Sequence, residues 1–346
     1  MNKLQSLLET RQWLLADGAT GTNYFQMGLG PGDAPELWNI DYPERVLDLH
    51  RRFVAAGSDI ILTNTFGGCS YRLKLHKAQD RVHELNRAAA RIARQAADEA
   101  DHEVIVAGSM GPTGEILEPV GTLSHADAVA AFKEQAKGLK DGGVDVLWLE
   151  TMSSIEELRA ATEAARLAGL DYVATLSFDT NGNTMMGVTP GGLADTCLDL
   201  EPGPLAFGTN CGVGAAEVVA TILTMHAALG GREANLVAKA NCGIPEYHDG
   251  NIVYNGTPDL MASYAVLARD AGARIIGGCC GTTPEHVASM RRALETVPHG
   301  DAPEIELVVR ELGPITEGAR RCCSGESRPA AADSRRAGRR RRRSAG

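Results

Sequence analysis

Long apolar runs are missing from this sequence. No segment approaches the roughly 18 consecutive apolar residues of a membrane span, so no spanning helix is expected. The opening MNKLQSLLETRQWLL has neither the apolar centre nor the small-residue cleavage site of an export signal, and it reads as a short amphipathic helix. A soluble, cytoplasmic protein without membrane partners is therefore expected. No GxGxxG opens a helix after the first apolar run, which counts against a doubly wound dinucleotide-binding sheet, the second choice of fold. No CxxC pair occurs, which counts against a thiol oxidoreductase, the rival enzyme class for a cysteine-bearing chain. Aromatic residues make up 5% of the 346 residues, so few ring faces are available to a cationic ligand.

What is present is a large apolar fraction, 44%, and 39 glycines, which suit a big core joined by many short turns. The net charge of −10 conceals two parts. From Arg320 onward there are ten Arg and two acids; the body before it holds 24 basic and 42 acidic side chains, a net −18. An acidic body argues against nucleic-acid binding by the main domain. Residues 317–346, rich in Arg, Ala, Ser and Gly and ending in a GRRRRR run at 338–343, have no apolar period and are expected to be a disordered tail on a domain of residues 1–316. Oligomerisation is left open.

Eight short apolar runs, each followed by a turn and mostly by a helical pattern, occur in order. They are Trp13–Asp17, Asp59–Thr65, Glu103–Gly108, Asp145–Glu150, Tyr172–Phe178, Leu205–Asn210, Asn235–Ala240 and Arg274–Gly278. Several are apolar throughout, as strands buried on both faces must be. Eight alternations predict a closed (β/α)₈ TIM barrel.

Chemistry in such barrels sits at the C-terminal ends of the strands. Here those ends read DGATGT, TNTFGGC, AGSMGPTG, WLETM, SFDTNG, GTNCGVG, KANCGIP and GGCCGTTPEH. Cys279 and Cys280 are adjacent, and side chains of neighbouring strand residues point to opposite faces unless a bulge or turn intervenes. The flanking glycines permit such a turn. A third thiol could come from Cys211, Cys242 or Cys69, all at strand exits. Three thiolates would leave one position open on a tetrahedral zinc, the arrangement of a catalytic rather than a structural site. A non-catalytic zinc protein would close that position, and no ready fourth Cys or His is obvious, since His286, six residues past Cys280, is expected one turn into a helix. Asp17 and Glu150 end the first and fourth runs and suit a substrate ammonium, although strand-end acids also cap helices or pair within barrels. The amides of Gly18 and Ala19 would form a small nest for a carboxylate.

With LADGATGT, TNTF, GSMGPTG, GTNCG and GGCCGTTPEH in place, the chain from about Trp13 to Val297 resembles the homocysteine S-methyltransferase family, whose members include betaine-dependent, S-methylmethionine-dependent and cobalamin-dependent enzymes. The resemblance implies a (β/α)₈ barrel with Zn²⁺ held by Cys211, Cys279 and Cys280. It implies that homocysteine's amino group meets Asp17 and Glu150, and its carboxylate the loop at Gly18. The acceptor implied is L-homocysteine and the product methionine. Glycine betaine is the expected donor, by likeness to bacterial betaine-type enzymes; S-methylmethionine and methyl-corrinoid or methylfolate-linked donors are the alternatives. Trp38, Tyr24, Phe66 and Phe178 could face a quaternary ammonium. Animal betaine enzymes carry tyrosines where this chain has Gly67 and Thr151, so an aromatic cage of that type is absent or rebuilt here.

Overall fold

The computed structural model describes residues 2–243, 245–248 and 251–325. Eight parallel strands overlap the expected runs: β1 (Leu14–Leu15), β2 (Ile60–Leu62), β3 (Ile105–Met110), β4 (Val146–Met152), β5 (Tyr172–Leu176), β6 (Ala206–Cys211), β7 (Leu236–Ala240) and β8 (Ala273–Gly278). They pair in the order β1-β8-β7-β6-β5-β4-β3-β2. The ends of that order meet through the Ala16–Ile60 bridge, with Asp17 N donating to Ile60 O at 3.0 Å and Asp59 N to Leu15 O at 2.7 Å. The sheet is thus closed, and the fold is the (β/α)₈ barrel that eight alternations predict.

Alternation along the strands divides the apolar residues into two layers. Ile60, Val146, Trp148, Val173, Val237 and Ile275 point inward and fill the barrel. Ile61, Leu147, Leu149, Ala174, Phe207 and Ile276 point outward against the helices. The predicted N-terminal helix forms at Lys3–Thr10 and sends Leu4, Leu7 and Leu8 into the lower end of the barrel as a stopper. Burying each such leucine contributes roughly 1.5–3 kcal/mol.

The outer helices start where the sequence supplies caps. Ser124, Ser154, Thr189 and Thr257 each accept a backbone N–H in the first turn, and Thr283 forms a capping box with His286. The helix Pro190–Asp199 carries the weakest signal of the set, because Gly191 and Gly192 occupy its first turn. A hairpin, Pro245–His248 with Asn251–Tyr254, is inserted after β7.

The ordered body extends beyond the expected boundary at residue 316. Glu317–Cys323 is a short helix, capped by Thr316 and held by Gly318 N to Asn181 Oδ1 at 2.7 Å. The Arg-rich remainder, residues 326–346, lies outside the described residues. Among the described residues no helix is long and apolar enough to cross a membrane.

Candidate active site

The C-terminal end of the barrel opens into a cavity of about 500 Å³, with Gly18, Glu150, Cys211, Lys239, Cys279 and Cys280 on its walls. A larger groove of about 970 Å³ lies at the opposite end, beside Arg11, Trp13, Asp59 and Arg291. Its Asp59 is already paired with both arginines, at 2.6 and 3.1 Å, which leaves little chemistry to offer a ligand.

Three sulfurs converge in the smaller cavity. Those of Cys211, Cys279 and Cys280 all lie within 4.8 Å of one another, and Cys211 Sγ is 2.8 Å from Cys279 Sγ. Backbone geometry explains the meeting. Cys211 is held at φ +58°, a left-handed step that turns its side chain off the strand's alternation at a cost of roughly 1–2 kcal/mol. Cys279 and Cys280 lie just past the end of β8 in a turn closed by Thr282 N to Cys279 O at 3.1 Å. That turn needs Gly281, which sits at φ +78° and would place a β-carbon 2.4 Å from Tyr254 Cβ.

Two asparagines fix the sulfur-bearing loops. Asn210 Nδ2 lies 3.5 Å from Cys211 Sγ and 2.7 Å from Thr151 Oγ1, and its Oδ1 accepts Thr151 N at 2.9 Å. Asn241 donates to Gly212 O at 2.9 Å and accepts Cys280 N at 3.1 Å, tying the loop of β6 to the turn after β8. Neither was singled out by sequence reasoning, although both stand beside a cysteine in the strand-exit motifs.

The remaining candidates fall elsewhere. Cys69 is buried at the start of a short helix, and Cys242 donates to Gly256 O at 3.3 Å. His286 is committed to its capping box and to Gly256 O at 3.3 Å. Among the described residues no His, Asp, Glu or fourth Cys joins the trio.

Three thiols this close oppose one another's ionisation. Hydrogen bonds from Cys211 and Cys279 pull Cys280 down to about 3. Cys211 is pushed well up, first by its hydrogen bond with Cys279, and Cys279 rises to about 12 despite the opposing pull of Cys211. Ionising one of these thiols opposes ionisation of its neighbours, and a soft dication is what would let all three ionise together. The donor set therefore fits a zinc-like ion.

The acids beside the cluster are arranged differently from expectation. Asp17 is fully buried and does not face the cavity. One oxygen accepts Leu62 N at 2.7 Å and the other pairs with Lys239 Nζ at 2.8 Å. Lys239, 2% exposed, is the residue sequence reasoning missed: a lysine within the apolar run LVAKA is costly unless paired, and that was the available signal. Burial drives the Asp17 carboxyl upward, while its attraction to Lys239 works against this. Glu150 does face the cavity and accepts the Ser109 hydroxyl. Burial raises its pKa to about 7. Gly18 lines the wall, where Thr282 O would stand 2.5 Å from a β-carbon. The two-amide nest does not form as expected, since Ala19 N donates to Thr282 O at 3.2 Å.

Residues 14–294 match the family model for homocysteine S-methyltransferase. The chain belongs to the homocysteine S-methyltransferase family. Methionine synthases of Mycobacterium leprae and Mycobacterium tuberculosis are each 30% identical to it, over 87% and 82% of this chain respectively. The chain spans about a quarter of the length of those relatives, 26% and 25%. Solved structures of the Escherichia coli homocysteine methyltransferase MmuM share the fold. The oxidized form has a TM-score of 0.70 and the metallated form 0.69, both at 24% identity and covering 84% of this chain and 99% of MmuM. The family match spans every barrel strand, and its region includes Asp17, Glu150, Cys211, Lys239, Cys279 and Cys280.

Proposed function

We propose that this protein transfers a methyl group to the thiol of L-homocysteine, giving methionine, with zinc held by Cys211, Cys279 and Cys280 and glycine betaine as the donor. The convergence of three sulfurs at the wall of a cavity that also presents Glu150 carries this reading. The relative described as a metallated homocysteine methyltransferase supports it. Zinc at the three sulfurs would hold an incoming thiol as its thiolate at neutral pH, where a free thiol of pKa about 8.5 is mostly protonated.

The chain's own residues supply binding and orientation. Glu150 has the charge for the substrate ammonium, and Lys239 and the Gly18 backbone have the polarity for its carboxylate. Asp17 acts through Lys239, holding that side chain in place. Asn210 and Asn241 keep the sulfur-bearing loops in register. In the transfer, the homocysteine sulfur's electron pair forms the new S–CH₃ bond while the donor's N–CH₃ bond breaks. The breaking pair stays on nitrogen, which leaves as a neutral amine. Fixing the two reactants in line lowers the barrier by removing the entropy of bringing them together. A reducing, cytoplasmic setting belongs to the same proposal, since it needs the sulfurs of Cys211, Cys279 and Cys280 unoxidised.

A second reading concerns the donor alone. Phe25, Leu75, Ile116, Val120 and Met185 are between 53% and 73% exposed and stand on the segments that follow β1, β2, β3 and β5. An apolar rim of this kind also suits a protein that carries the methyl group on a corrinoid. The deciding measurement is methionine formation by zinc-loaded protein given homocysteine with betaine, S-methylmethionine or a methylated corrinoid protein in turn. Betaine is expected to work; product from S-methylmethionine but none from betaine would overturn that choice. No product from any of the three would overturn the function.

A further inference from the structure

Three resident sulfurs share a chamber with an electrophilic methyl group under the function proposed above, and all three are within its reach. Cys211, Cys279 and Cys280 are half-buried, and each lines the cavity. A methyl group delivered to one of them instead of to homocysteine would turn a thiolate into a thioether, which carries no charge to hold a dication. The resident sulfurs therefore have to be poorer nucleophiles than the substrate's.

The hairpin inserted after β7 brings a hydrogen-bond donor to one of them. Tyr254, its last residue, is half-buried and stands off the cavity wall, and its hydroxyl donates to the Cys280 sulfur. The main chain builds this approach. A β-carbon on Gly281 would lie 2.4 Å from Tyr254 Cβ and 2.5 Å from its Cγ, so the ring closes on the sulfur-bearing turn because residue 281 is glycine. Cys242 N donates to Cys280 O at 2.8 Å, and Gly256 N donates to Cys242 O at 3.0 Å. The chain leaving Tyr254 thus returns onto the residue that holds Cys280. The other two sulfurs meet Asn210, whose Nδ2 lies 3.5 Å from Cys211 Sγ and 3.9 Å from Cys279 Sγ. Each resident sulfur therefore has a side-chain donor from outside the trio.

We propose that Tyr254, together with Asn210, protects the protein's own sulfurs from methylation and so determines which sulfur the methyl group reaches. The inference rests on the function proposed above and adds a source of selectivity among sulfurs. A hydrogen bond to a thiolate occupies a lone pair and draws off electron density, and a thiolate made less basic is a weaker nucleophile. Tyr254 has one hydroxyl proton; given to Cys280, it is not available to a thiol in the cavity. Tyr254 acts through Cys280, as a selectivity residue and not a catalytic one.

The test uses zinc-loaded full-length protein without homocysteine, and methyl iodide as the probe. A sulfur lone pair forms the S–CH₃ bond, the C–I bond breaks and its pair leaves with iodide. Fragment mass spectra place each methyl on Cys211, Cys279 or Cys280, while a chromophoric chelator reports released zinc. Tyr254→Phe keeps the ring over Gly281 and removes only the hydroxyl. In that variant Cys280 should be methylated about tenfold faster than in the wild type, with Cys211 and Cys279 at wild-type rates and zinc leaving in step with the modification. A hydroxyl that merely braces the turn would leave the rate at Cys280 unchanged or spread the methyl over all three sulfurs. Either result overturns the proposal, as does zinc leaving before any methyl appears. The three-donor methionine assay separates this failure from failure of the parent reading. Product from the wild type with no gain at Cys280 in Tyr254→Phe strikes the protective role alone, whereas a wild type that holds no zinc sinks both.

Discussion

The two ends of the barrel carry acids in matching places and treat them in opposite ways. At the lower end, Asp59 meets Arg11, Arg291 and Leu15 N, and Asp145 meets Arg94, Lys3 and Val106 N. These cations reach solvent, so each carboxylate is neutralised by two cations beside water. At the upper end, Asp17 has one cation, itself buried, and Glu150 and Glu36 have no direct ion pair among the described residues, with burial raising all three pKa values. The lower acids complete the fold. The upper ones are left short of partners, which is the condition of groups that await a ligand.

The sharpest division between the ends should appear with Cys279→Ala. Zinc content is expected to fall to near zero and methionine formation by about 10³-fold or more, because the proposed open-position zinc would have only three protein ligands. Retention of stoichiometric zinc would break the assignment. Next in size are the buried pairs. Lys239→Met strands Asp17 in the interior and should cost about 3–5 kcal/mol, read by denaturant unfolding. Asp59→Asn should cost less, about 1–3 kcal/mol, because Arg11 and Arg291 can turn to water. Equal losses would show that the two ends differ less than their geometry implies.

Glu150→Gln changes stability by an amount like that of Asp59→Asn, but in the opposite direction. Burial raises its carboxyl to about 7 in the folded chain, against 4.5 for the free side chain. The folded state therefore favours the protonated form, and stability falls as pH rises from 4.5 through about 7. The metal-free variant should gain up to about 3 kcal/mol above that range and nothing below it. Homocysteine affinity should drop about tenfold at pH 8, and the weakening of wild-type binding as pH falls below 7 should vanish. A variant that is stabilised yet binds homocysteine normally would move the ammonium site elsewhere.

Much of this arrangement was legible in the residues. Strand positions were readable because apolar runs such as VLWLE and YVATL are long enough to be buried on both faces. The Cys279–Cys280 pair was readable because adjacent cysteines among glycines have few structural uses, whereas spacing left the third sulfur open between Cys211, Cys242 and Cys69, and the resemblance alone implied Cys211. Less legible was anything set by contacts distant in sequence. Asp17 stands where a strand-end acid would face the cavity, but its pairing with Lys239, 222 residues away, holds it out of the cavity. Glu36 lies in a single turn of 3-10 helix, Pro35–Leu37, tied to Asn64, and no periodicity marks a residue of that kind. The two-amide nest failed for a similar reason, since Ala19 is engaged by a carbonyl 263 residues away. The start of the tail was misplaced because a seven-residue helix held by Asn181 and Thr316 leaves almost no pattern.

Closure between β1 and β2 rests on little: a β1 of two residues, a few main-chain bonds around Ala16, and the Asp17 carboxylate reaching over to Leu62 N. A cask fastened this lightly at one joint has a preferred place to part. The stave that would loosen there also anchors Lys239, so opening of the joint and disorder beneath the substrate chamber are one event. Deuterium uptake at the Leu62 amide would follow both, and a molecule filling the chamber would slow it from the far side of the wood.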